Sequence, residues 1–447
     1  MDTIAPKTPA ALPFAAWQAM SPAAAAREVQ ARGAALPPAL RAAALAWLRP
    51  ERELAAEMEG WSGLTSGRSE RAGVSALHPL RGIPYFLKDL FDLAGAPTQA
   101  GSTFLNSVRG TPKRDSAIVR RLGELGAVCA GKTHLVEFAA GLFGDNAHYG
   151  DCPHPHFPDR LSGGSSSGSA ALVAAGVVPF AIGTDTGGSV RVPAAFCGLY
   201  GFRLSPGGDF IRDAVPLSPT LDTAGWFTAN AGDMLAAWKA LVPCRAAARG
   251  SLVGAEPRGC FLPAKSLGIP FDPDTAAACD RAAAAFARPA DQATTRALFA
   301  SWHDAIDAYT VTALGEAHAV HRDWLAPYRE HYDAAIWQRF SDGGRFPAGK
   351  QRAAAATIDA VKSGFRQYFA SHDCLVLPAT PFPALRKADC TPEARKALLA
   401  LTTPASLAGL PVLTIPVPLP SGLTTGLQVI LPVATSAVVP WVCSGGL

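Results

Sequence analysis

The chain has 447 residues, 49% of them hydrophobic, and its 40 basic and 36 acidic side chains give a net charge of +4. This length and apolar content can bury a large core in one domain or two, while a nearly balanced charge without a basic cluster argues against a nucleic-acid or membrane-surface binder. Nine cysteines are dispersed, odd in number and without a pairing framework, which predicts free thiols and a reducing cytoplasm as the location.

In chain order, the opening Met1 to Arg27 carries Asp2 where a secretory signal would be positive, and prolines break its apolar stretches. Residues 21–60 read as alanine-rich helices interrupted at Pro37, Pro38 and Pro50. Ile83, Pro84, Tyr85, Phe86 and Leu87 form an apolar run that ends at Lys88. A helix is expected over Ala117 to Leu125 and a buried strand over Ala127 to Ala130. A second helix, Ser169 to Ala175, presents Ala170, Ala171, Ala174 and Ala175 for close packing on a sheet, and the strand Val177 to Ile182 follows. From Ser301 to Phe369 the chain is rich in aromatics between helical patterns, among them Trp302, Tyr309, Trp324, Tyr328, Phe340 and Phe365. This stretch, about 300–370, is either a helical cap over a site or a helical layer on the sheet. Strands close the series at Cys374 to Pro378 and Val412 to Pro416. Strands alternating with helices predict an α/β fold, and no apolar run is long enough to cross a bilayer.

Two glycine-rich turns flank the helix and strand that begin at Ser169. They are Gly163-Gly164-Ser165-Ser166-Ser167-Gly168-Ser169 and Gly183-Thr184-Asp185-Thr186-Gly187-Gly188-Ser189. Glycine lets the backbone approach a ligand and enter positive φ, so such turns can aim N–H groups at an anion, as an oxyanion hole requires. Gly164-Ser165-Ser166-Ser167-Gly168 also fits a nucleophile elbow centred on Ser166. That motif must follow a buried strand, whereas Pro158-Asp159-Arg160-Leu161-Ser162 is a polar approach. The second turn follows an apolar run as a phosphate-binding loop would, but Ser189 occupies the position that needs lysine.

Around these turns the sequence resembles the amidase signature family of serine hydrolases. The resemblance runs from about Leu80 to Asp233, through Gly82-Ile83-Pro84-Tyr85-Phe86-Leu87-Lys88-Asp89, Ala100-Gly101-Ser102, Gly131-Lys132-Thr133, both turns, Ser189-Val190-Arg191-Val192-Pro193 and Pro216-Leu217-Ser218-Pro219-Thr220-Leu221-Asp222. A weaker block covers Leu375 to Pro383 and Gly409 to Pro432. The resemblance implies a single domain over 1–447, with its motif core at about 80–233 and 372–432, and a mixed central sheet flanked by helices. It further implies Ser189 as nucleophile, Ser165 as a bridging serine with a cis peptide bond, Lys88 as base, and the backbone N–H groups of Thr186, Gly187, Gly188 and Ser189 as the oxyanion hole. Ser165 and Ser189 stand at the separation such enzymes show. A serine hydroxyl needs a base and lysine is a base only when neutral, a state that the apolar run before Lys88 favours.

Several further residues compete for attention. Lys132 reads as a buried structural lysine, and Arg191 as either structural or pocket-lining. Cys152, His154 and His156 alternate like soft ligands but lack the spacings of zinc sites, so neither a metal nor a cofactor is expected. The activity implied is hydrolysis of small uncharged amides, anilides or carbamates, with esters a further option, as in an aryl acylamidase or urethanase. A small molecule is then the partner, with no nucleic acid or membrane, and a homo-oligomer stays open. Two alternatives are a glutaminase-type subunit of an amidotransferase complex, in which glutamine would be expected where Val192 stands, and a binding protein without turnover, which would have lost Lys88, Ser165 or Ser189.

Overall fold

The computed structural model describes residues 10–62, 78–242 and 256–445. Eleven strands form one mixed sheet among these residues. In chain order they are β1 (Leu45–Leu48), β2 (Pro84–Lys88), β3 (Val128–Thr133), β4 (Phe180–Asp185), β5 (Tyr200–Arg203) and β6 (Thr223–Thr228), then β7 (Gly259–Phe261), β8 (Arg288–Pro289), β9 (Cys374–Pro378), β10 (Val412–Pro418) and β11 (Thr424–Ile430). The spatial order is β1-β3-β2-β4-β6-β5-β10-β11-β9-β7-β8. β2 lies parallel between β3 and β4, and antiparallel pairs carry the sheet from β4 through β6, β5, β10 and β11 to β9.

The central strands β2, β3 and β4 are buried at every residue, as expected of strands covered on both faces, where continuous apolar runs replace alternation. The helix Ser167–Ala174 packs there through small side chains and buries Ser167 to Val173. The expected strands and helices are present with ends displaced by a few residues: Ala117–Glu124 is helical, and Phe180–Asp185 replaces the expected Val177 to Ile182. Between the alanine-rich helices Pro38–Ala44 and Glu51–Ser62, the expectation of continuous helix fails at Leu45–Leu48. This segment extends and pairs antiparallel with β3 at the sheet edge, a tertiary contact that overrides local helix preference.

Helices Ala305–Leu325 and Ala334–Gly343 add Ala317, Leu325, Ile336 and Phe340 to a second apolar cluster, the rest of which comes largely from Leu90 to Leu105 and Leu135 to Ala140. The first helix buries Ala305, Ala308, Tyr309, Ala313, Ala317, His321 and Leu325, a stripe at helical spacing. Phe104 stacks on Tyr328 at 4.6 Å between ring centroids, and Phe138 meets His321 edge-on at 4.4 Å. These contacts fasten the helices to the loops that follow β2 and β3. No helix among the described residues is long and apolar enough to cross a membrane.

Candidate active site

Lys88 closes β2 opposite Thr133 at the end of β3, and Leu87 before it pairs with Ile182 of β4. The carboxyl ends of three adjacent strands therefore converge, a place where a sheet of this kind exposes functional groups. Lys88 is fully buried. Its Nζ bonds Ser165 Oγ at 2.8 Å, Ser166 Oγ at 3.0 Å and Thr184 Oγ1 at 2.8 Å. Burial lowers its pKa to about 7, against the opposing fields of Asp222 and Asp185. With only hydroxyl groups as hydrogen-bond partners among the described residues, the ammonium gains too little to offset desolvation, which favours the neutral amine.

The first serine-rich turn reaches Lys88 through a Gly164–Ser165 peptide bond that is cis. Ser166 lies against β4, where its Oγ donates to Thr184 O at 3.1 Å. Gly183 makes this approach feasible, because a Cβ there would stand 2.8 Å from Ser166 Oγ. Ser166 precedes a helix but follows a loop, so the strand that a nucleophile elbow needs is missing. Its main-chain N–H donates to Ser189 O at 3.4 Å, which ties the two turns together. Ser189 lines a chamber of about 150 Å³ bounded by Ala139, Leu217, Tyr309, Ala313 and Phe340. Lys88 and Ser165 are thus joined directly, whereas no hydrogen bond links the hydroxyls of Ser165 and Ser189 among the described residues.

Asp185 organises the second turn. Its carboxylate accepts from the N–H groups of Gly188, Val190 and Arg191 at 2.9, 3.0 and 3.3 Å and from the buried guanidiniums of Arg191 and Arg203. Although burial opposes it, the two arginines hold the Asp185 carboxyl well below the usual carboxylate range. Because the N–H of Gly188 is committed to Asp185, the expected four-donor oxyanion hole is corrected to three candidates. The N–H groups of Thr186, Gly187 and Ser189 have no protein acceptor among the described residues. Gly188 has φ +127°, a conformation that side chains rarely adopt.

Arg191 does not reach the chamber. Its guanidinium also donates to Thr402 O, Gln428 Oε1 and Ser406 Oγ, so its place is structural. Asp222 is the residue that sequence reasoning passed over. It accepts from Thr186 Oγ1 at 2.6 Å and from the N–H groups of Leu217 and Ser218 at 2.9 and 3.0 Å, and burial raises its pKa to about 6. An acid closing the otherwise uncharged run Pro216 to Leu221 was the available signal.

The remaining candidates lie elsewhere. Lys132 forms a buried ion pair with Asp89 at 2.5 Å and donates to Pro97 O and Thr98 Oγ1. His154 Nε2 lies 3.0 Å from Phe196 O, and His156 Nε2 lies 3.1 Å from Ala174 O; both rings serve main-chain groups. Of the aromatics from 302 to 368, only Tyr309 and Phe340 line the chamber. Trp302 packs on Phe299 and Phe365, while Trp324, Tyr328 and Tyr332 surround Phe104.

Against known proteins, the Amidase family profile matches residues 65–253. Over 379 residues the chain is 32% identical to 1-carboxybiuret hydrolase subunit AtzE of Pseudomonas sp. (strain ADP), covering 77% of this chain and 79% of that protein. It is 41% identical to Amidase 1 of Oryza sativa subsp. japonica over 165 residues, which is 37% of this chain and only 38% of the relative's length. A solved structure described as a crystal structure of amidase superposes with a TM-score of 0.78 at 28% identity, covering 97% of this chain and 96% of that one. A fully buried lysine bonded to a serine of one glycine-rich turn, beside a second turn that ends in a serine, thus stands in a fold shared with such enzymes, and the chain belongs to the amidase signature family.

Proposed function

We propose that this protein hydrolyses the C–N bond of small amides, anilides or carbamates through an acyl-enzyme on Ser189. The observation that carries the reading is the buried Lys88 with its pKa near 7, bonded to Ser165 beside a serine that opens into a chamber. Ser189 Oγ attacks the carbonyl carbon as its proton passes to Ser165 and the Ser165 proton passes to the neutral amine of Lys88. The N–H groups of Thr186, Gly187 and Ser189 receive the oxyanion, which preorganised donors stabilise most where water is excluded. When the C–N bond breaks, the relay returns the proton to the leaving nitrogen. Water then attacks the acyl-enzyme, gives its proton to the same relay, and releases the acid and a free Ser189.

Leu217, Tyr309, Ala313 and Phe340 make the chamber wall largely apolar, which supports an uncharged group of modest size around the reacting carbonyl. Carbamates and esters present the same carbonyl to Ser189, so an aryl acylamidase or urethanase activity fits the same machinery. A panel of 4-nitroanilides, aryl carbamates, aryl esters and glutamine tests this. Turnover of an anilide or carbamate that is lost in Ser189→Ala supports the reading. Turnover confined to glutamine, together with co-purification of a second chain, supports instead a subunit of a larger assembly, a reading favoured by the AtzE relative being named as a subunit.

A further inference from the structure

The Ser189 chamber is not closed. Ala140, Gly141, Leu142, Arg339 and Arg395 line both it and an outer vestibule of about 470 Å³, so two guanidiniums stand at the neck between nucleophile and entrance. Arginine in a confined position is ordinarily paired. Here each carboxylate of the vestibule is engaged elsewhere. Asp145 and Asp151 face Lys387 at 3.9 and 3.0 Å. Asp333 caps the helix Ala334–Gly343 by accepting from Ala335 N and Ile336 N, and Glu137 accepts from His148 Nε2 and Asp333 N.

Neither arginine forms an ion pair among the described residues. Arg339 uses only Nε, which donates to Ala335 O at 3.3 Å, and Arg395 Nε is buried without a partner. Burial and then the field of Arg395 lower the pKa of Arg339 to about 10, against the smaller opposing fields of Asp145 and Asp333. An unpaired buried donor costs free energy that a ligand can recover, and a guanidinium suits a planar carboxylate through paired N–H donors.

From this juxtaposition we propose that the substrate carries a carboxylate, held at the neck by Arg339 and Arg395 while its uncharged amide end enters the Ser189 chamber. The inference rests on the amidase reading and narrows it to amides with one anionic end, whereas the sequence alone pointed to substrates uncharged throughout. Glutamine and other zwitterions remain unfavoured, because each carboxylate near the neck already has a partner in place of an ammonium.

The test compares succinyl, glutaryl and adipoyl 4-nitroanilides, each with a free carboxylate, against their methyl esters. The native protein is expected to favour at least one free acid over its ester by about tenfold or more in kcat/KM, as for a charge-assisted hydrogen bond. Arg339→Gln and Arg395→Gln are expected to erase that preference mainly through KM, with partial recovery in Arg395→Lys. Equal or better use of the esters throughout the series, or a preference that survives both glutamine substitutions, overturns the inference. Calorimetric binding of the same compounds to Ser189→Ala separates the two claims. Binding that depends on the carboxylate, without turnover by the native protein, defeats the amidase reading alone, while turnover of esters and acids alike defeats only the anionic subsite.

Discussion

Lys88 and Lys132 are both buried and belong to adjacent strands, yet their partners give them different work. Lys88 meets three hydroxyl groups and Lys132 meets the carboxylate of Asp89. Lys88→Ala is expected to lower kcat by about 10²- to 10⁴-fold, the range of a general base. Because burial depresses the lysine, the active neutral form increases with pH, and kcat/KM is expected to rise through about pH 7 and then level off. Asp222, raised to about 6, sharpens the acid side of that rise, and a pH profile that falls from neutral pH upward would contradict both assignments. The linkage has a sign in stability as well: the unfolded chain holds the Lys88 proton more tightly between about 7 and 10.5, so this group adds stability as pH rises through that window. Lys132→Met should instead strand Asp89 in the interior and cost about 3–5 kcal/mol of stability, read by denaturant titration. The sequence separated these lysines through the motif around Lys88, whereas for Asp222 it offered only an acid at the end of an uncharged run, and its partner Thr186 lies 36 residues away in the chain.

The turn from Asp185 to Ser189 joins β4 to the helix Arg191–Cys197, and its shape depends on buried charge. Arg191→Met removes Asp185's best-placed partner and leaves Arg203 alone with it; a loss of about 3–5 kcal/mol is expected, with activity lost in proportion to unfolded protein at elevated temperature. Unchanged melting would show that Arg203 alone suffices. Glycine-rich turns and apolar strands were legible because glycine, proline and runs such as Cys374–Pro378 act locally. Leu45–Leu48 was not, since its extended form is dictated by pairing with β3. The aromatic stretch from Trp302 to Tyr368 left a cap and a helical layer both open for a related reason. Burial at helical spacing says that a side chain is covered but not by what, and Trp324, Tyr328 and Tyr332 face Phe104, not Ser189.

Across the whole molecule, the two motif blocks of the sequence meet where β5 pairs with β10, and Arg191 binds Thr402, Ser406 and Gln428 from the later block. The site therefore needs both halves. A fragment ending at residue 242 would leave β5 paired with β6 alone, its β10 side an open sheet edge, and is expected to aggregate; a soluble, cooperatively unfolding fragment would show that the halves are independent. Segments that carry chemistry were legible in the sequence, while the neck arginines lie on helices without motifs and became visible only when Arg339 and Arg395 were brought together at one opening. The central claim is that Ser189 forms the covalent intermediate. Brief incubation with an aryl carbamate, followed by digestion and mass spectrometry, tests it most directly: one carbamoyl group is predicted on Ser189 and none in Lys88→Ala, whereas a carbamoyl group on Ser165, Ser166 or Ser167 would contradict the account.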